Sequence, residues 1–136
     1  VSFTLREHTA DVAVEATGET LGDVFGATAD GMAAAMYEGD APEGDRFDLT
    51  VTAESREPLL FDYLDELIYQ RDVRGVLPVD NRAAVSSSGD VWTVEATAQG
   101  VPLQTITARE VKAVTYSEMV LEPTEEGWHA YVVLDV

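Results

Sequence analysis

Residues 47–69 read FDLTVTAESREPLLFDYLDELIY, and the hydrophobic period changes in the middle of them. Phe47, Leu49, Val51 and Ala53 alternate with Asp48, Thr50, Thr52 and Glu54, the two-residue period of a strand with one wet face. From Pro58, in a first helical turn, Leu60, Phe61, Leu64, Leu67 and Ile68 recur at helical spacing and form a buried stripe that Gly75 ends. The early acids Glu57 and Asp62 and the late Arg71 and Arg74 complement the helix dipole, while Asp62, Asp65 and Glu66 read as its solvated side.

A second strand-helix passage lies upstream. Val12, Val14 and Ala16 alternate with Ala13, Glu15 and Thr17, preceded by a short strand at Phe3 to Leu5 and by His8-Thr9-Ala10-Asp11. Thr20 and Asp23 resemble a capping box, after which Leu21, Val24, Phe25, Ala29, Met32, Ala33 and Met36 keep helical spacing up to Gly39. Gly22, Gly26 and Gly31 each weaken this helix by roughly 1 kcal/mol relative to Ala, which predicts close packing against a sheet. The acidic stretch from Glu38 to Asp45 is a loop.

Beyond Pro78, strands over Arg82 to Ser87 and Val91 to Ala98 flank a Ser88-Gly89-Asp90 turn. Strands over Val114 to Glu122 and Trp128 to Val136 flank Pro123 to Gly127, so two hairpins are expected, with Gly100 to Lys112 either loop or short helix. The pattern predicts one α+β domain over residues 1–136: a two-layer sandwich, with two helices on one face of a mixed, largely antiparallel sheet.

The 136 residues carry 8 Lys+Arg against 26 Asp+Glu, a formal net charge of −18, with 46% hydrophobic residues and no cysteine. The hydrophobic share suits a folded domain, with a radius of gyration of roughly 14 Å, rather than a disordered chain. Absence of cysteine removes disulfides, thiolate metal sites and thiol nucleophiles. Acids spread along the whole sequence read as halophilic adaptation, the rival being an acidic adaptor for basic partners. Such a chain repels phosphate on average, so a role in RNA chemistry must pass through another protein or a small local patch. No apolar run reaches the ~18 residues of a membrane helix, and Val1 to His8 lacks the regions of a signal peptide. A soluble, cytoplasmic protein is expected, its start without Met processed or trimmed.

Nucleotide-loop, hydrolase-elbow, zincin and dinucleotide motifs are absent. Asp11 stands at the mouth of a strand and Asp135 is the penultimate residue of the last one. If those strands are neighbours, the two carboxylates, with oxygens of Val136, would suit a hard cation such as Ca²⁺, Mg²⁺ or Mn²⁺. On spacing alone the alternative is two solvated carboxylates among many. Lys112, the one lysine beside seven arginines, reads either as a contact for a phosphate or a partner's carboxylate, or as a surface residue paired with Glu110 or Glu118. His8 reads as a metal ligand, a proton shuttle or a partner contact, or else as a hydrogen-bonded structural residue. His129 is expected to be exposed, and Trp92 and Trp128 to belong to core or sheet face.

Four segments taken together resemble the archease family: His8-Thr9-Ala10-Asp11-Val12, residues 60–69 (LFDYLDELIY), residues 110–116 (EVKAVTY) and the closing Val133-Leu134-Asp135-Val136. The resemblance spans essentially the whole chain. It implies a small α+β protein, not itself an enzyme, that activates an RtcB-type RNA ligase in tRNA splicing by promoting guanylylation and multiple turnover of the ligase. It further implies that Asp11, Asp135 and a backbone oxygen of Val136 bind a divalent cation, Ca²⁺ first and Mg²⁺ or Mn²⁺ otherwise. Lys112 would act on the partner, with His8 and Asp62 in the same region, and tRNA would be met only through the ligase. The other reading is a chaperone-like modulator of tRNA-modifying enzymes such as a methyltransferase.

Overall fold

The computed structural model describes residues 2–7 and 11–136. In chain order they form β1 (Ser2–Glu7), β2 (Asp11–Gly18), α1 (Leu21–Met36), β3 (Asp45–Ala53), α2 (Arg56–Arg74), β4 (Val76–Ser88), β5 (Val91–Pro102), a 3₁₀ turn (Leu103–Thr105), β6 (Ala113–Thr124) and β7 (Gly127–Asp135).

The architecture is α+β, as the hydrophobic periods require. The strands divide into two sheets rather than one, of order β1-β2-β7-β6 and β3-β5-β4, and every pairing is antiparallel rather than mixed. Both helices pack against strands of both sheets: α1 chiefly on β2 and β4, α2 on β6 and on all three strands of the smaller sheet. No helix among the described residues is long and apolar enough to cross a membrane.

Local chemistry sets the ends of the elements. The Thr20 hydroxyl accepts from the Asp23 amide at 3.0 Å and starts α1. Gly75, at φ 66°, ends α2 in the left-handed conformation, its amide donating to Arg71 O. The expected close packing of α1 is present. A Cβ at Gly22 would overlap the carbonyl oxygen of Ala83 on β4, and one at Gly31 would overlap Val14 of β2.

Strand β4 starts straight after Gly75, earlier than the alternation alone suggests, and passes through Pro78. Because β4 is an edge strand, a proline can be accommodated there without breaking the sheet. Its register with β5 shifts between Val79 and Arg82, and Asp80 adopts φ 48° at that irregularity. Most of the Gly100 to Lys112 stretch is neither purely loop nor helix: it completes β5, makes the 3₁₀ turn and then runs without regular structure over residues 107–112.

The buried face of α2 consists of Leu59, Leu60, Tyr63, Leu64, Leu67, Ile68 and Arg71. Phe61, expected in that stripe, instead lies half-buried and stacks on Tyr116 of β6, with ring centroids 4.1 Å apart.

Candidate functional site

Strand β7 lies between β2 and β6, and in this register Asp11 is the direct partner of Asp135. The neighbouring pair, Val12 and Leu134, is buried in the core, so alternation turns the two aspartates to the opposite face. Directly opposed residues bring their Cβ atoms to about 5 Å, and like charges in that position destabilise a sheet unless a cation offsets them. On the other side, Ala113 pairs with Asp135, and the Lys112 amide donates to Asp135 O at 2.7 Å. Val136 follows directly. Asp11, Asp135, Val136 and the backbone of Lys112 thus converge at one end of the larger sheet, although the two aspartates come from opposite ends of the sequence.

The donor set is made of oxygen alone, which fits a hard cation that keeps several waters better than it fits zinc or copper. It is sparse: among the described residues, no group of three or more His, Cys, Asp or Glu could hold a metal ion. A divalent ion would be held by the Asp11 and Asp135 carboxylates with a backbone oxygen of Val136, and would supply positive charge beside the exposed Lys112.

Lys112 makes no ion pair with Glu110, Glu118 or any other acid among the described residues. Asp62 is exposed on α2, near enough to Tyr116 for its charge to act on the phenol. Partial burial, together with the charges of Asp62 and Glu57, raises the Tyr116 phenol above its ordinary range. His8 lies outside the described residues.

His129 departs from the sequence expectation. Its side chain is 24% exposed, and its Nε2 and Nδ1 lie 3.3 Å from Glu15 and 3.3 Å from Glu122, which flank it on β2 and β6. The two tryptophans are half-buried and share a cation: the Arg56 guanidinium sits 4.9 Å from the ring centre of Trp128 and 5.9 Å from that of Trp92.

Residues 3–136 match the Archease protein family. The chain belongs to the archease family. Curated archeases from Pyrococcus furiosus and Methanosarcina acetivorans are 30% and 33% identical to it; each alignment covers 96% of this chain and, respectively, 95% and 92% of the relative. The solution structure of protein 1598 from Methanobacterium thermoautotrophicum is similar over 99% of both chains, with 29% identity and a TM-score of 0.86. The crystal structure of an archease from Thermotoga maritima, described as a possible chaperone, has the same fold, with a TM-score of 0.63 at 22% identity over 96% of this chain and 94% of that one.

Two buried groups escaped the sequence reading. Arg71 is 8% exposed. Its Nη1 donates to Val111 O at 2.8 Å and its Nε to Asp72 Oδ1 at 2.9 Å. Asn81 is buried at the β4 irregularity and bonds Asp30 of α1. The late position of Arg71 in α2 reads as that of a dipole-compensating cation, but it follows Leu67 by four residues and Ile68 by three and so lies on the buried face.

Proposed function

We propose that this chain is a metal-binding accessory protein that activates an RtcB-type RNA ligase in tRNA splicing. The observation that carries the reading is the opposition of Asp11 and Asp135 beside a lone exposed lysine. Family membership supports the same reading. A cation on the aspartates and the Lys112 ammonium together offer positive charge where a nucleotidyl group is transferred, which is how such chemistry is commonly assisted. The protein itself catalyses nothing in this scheme, works in the cytoplasm and meets tRNA only through the ligase.

The test combines the cognate ligase, GTP and Ca²⁺, Mg²⁺ or Mn²⁺, with and without this chain. Faster guanylylation and repeated turnover are expected; an unchanged ligase rejects the proposal. Metal-independent protection of a tRNA-modifying enzyme from aggregation, with no effect on nucleotidyl transfer, would instead support the chaperone-like role.

A further inference from the structure

The chain carries eight cationic side chains, and among the described residues Arg71 is buried. An arginine is rarely buried unless its charge and donors are matched. For Arg71 the matching groups have different origins: Asp72 on its own helix, at 2.9 Å from Nε, and the carbonyl of Val111 from a segment with no regular structure, at 2.8 Å from Nη1.

That carbonyl belongs to the peptide unit joining Val111 to Lys112. The N–H of the same unit donates to Asp135 O at 2.7 Å. Both polar atoms of one peptide plane are therefore fixed, the oxygen by a side chain of α2 and the nitrogen by β7. A planar peptide held at its two ends fixes the position of the next Cα, and the pairing of Ala113 with Asp135 restrains the chain on its other side, so little freedom is left to the direction in which the Lys112 Cα–Cβ bond departs. The approach to it is secured as well: the Arg109 amide donates to Met36 O at 2.6 Å, and the Val111 side chain is fully buried.

We infer that Arg71 is the positioning residue for Lys112: its guanidinium, oriented by Asp72, fixes the Val111–Lys112 peptide and so aims the lysine ammonium beside the aspartate pair. The inference rests on the activator reading for its consequence in the ligase reaction, but not for its geometry. Arg71 is 8% exposed and so offers little surface of its own to a partner. Its loss should lower the maximal effect of the protein on a ligase rather than the concentration at which the effect is half complete.

Amide hydrogen exchange at Lys112, compared with that at the core residue Ala130, tests the geometry without a ligase. In Arg71→Met, exchange at Lys112 should accelerate about tenfold more than at Ala130, because a local hold is lost rather than global stability. Asp72→Ala, a change at an exposed side chain, should produce the same selective effect at about threefold, and carries the test should Arg71→Met fail to fold. Maximal ligase stimulation should fall about tenfold in Arg71→Met with half-saturation unchanged. Lys112 and Ala130 changing by one common factor would overturn the inference and make Arg71 a stability residue only. Wild-type protein that leaves a ligase unaffected, while Lys112 exchange still responds selectively, would remove the activator reading and leave the positioning role standing.

Discussion

Asp30 of α1 accepts two hydrogen bonds from Asn81 of β4 through a single oxygen, one from the backbone amide and one from Nδ2, each at 2.9 Å. Burial raises the Asp30 carboxyl above its ordinary value of 3.8; the Asn81 bonds oppose this and the charge of Asp80 adds to it. With its folded-state pKa above the unfolded one, the folded protein holds a proton that the unfolded chain has released. Stability contributed by this group is therefore present below pH 3.8 and is lost as pH rises through the raised value. Asp30→Asn keeps an oxygen for both bonds and removes the titration. Thermal melts should show a higher midpoint than wild type at neutral pH and no such gain in acid.

The opposition of Asp11 and Asp135 predicts that a divalent cation stabilises the fold. At a hundredfold excess over its dissociation constant, a single bound ion adds about 2.7 kcal/mol. Melting in chelator and then in Ca²⁺, Mg²⁺ or Mn²⁺ should reveal that increase in wild type. Asp11→Asn should melt higher than wild type in chelator, since the like charges no longer oppose each other, and should lose the response to metal.

Lys112 is exposed and has no acidic partner among the described residues. Lys112→Ala should alter folding stability by less than about 0.5 kcal/mol in denaturant titration. The same variant should lose stimulation of guanylylation in the ligase assay.

Arg56 opens α2 with its guanidinium between one tryptophan of each sheet. A cation at a helix N-terminus opposes the dipole, so its retention here is explained by the rings. Arg56→Ala should cost about 1–2 kcal/mol in denaturant titration. Trp92 and Trp128 are the only tryptophans, so the emission spectrum will report the change directly.

A net charge of −18 predicts strong dependence on salt. The screening length falls to about 3 Å at 1 M, which removes most repulsion between surface acids. The melting midpoint should rise between low salt and molar KCl; a flat response would end the halophilic reading.

Most of the α+β architecture was legible because Phe47 to Ala53 buries one face of a strand, Val12, Val14 and Ala16 keep the same period even though Ala13 between them is buried as well, and Thr20 caps a helix with its own side chain. Such signals are local. The division into two sheets was not legible, since the alternation of a strand says which face is buried and not which neighbour lies alongside. The aspartate pair was legible only conditionally, its meeting depending on β7 entering between β2 and β6. Arg71 and His129 were misread because their partners, a backbone carbonyl in one case and residues of two other strands in the other, leave no pattern in the neighbouring sequence. The Asp80 irregularity carries no glycine; its one local cue is the Asp80-Asn81 pair, residue types that tolerate positive φ.

The central position of β7 also bears on how the protein comes into being. The β3-β5-β4 sheet is complete once residue 102 has left the ribosome, so that half can assemble during synthesis. The larger sheet has a gap in its middle until Gly127–Asp135 arrives, and only then do β2 and β6 gain the strand that joins them. Translation that stops early thus yields a product without its aspartate pair, and the chemistry ascribed to that pair is reserved for molecules that have been made to the end of β7.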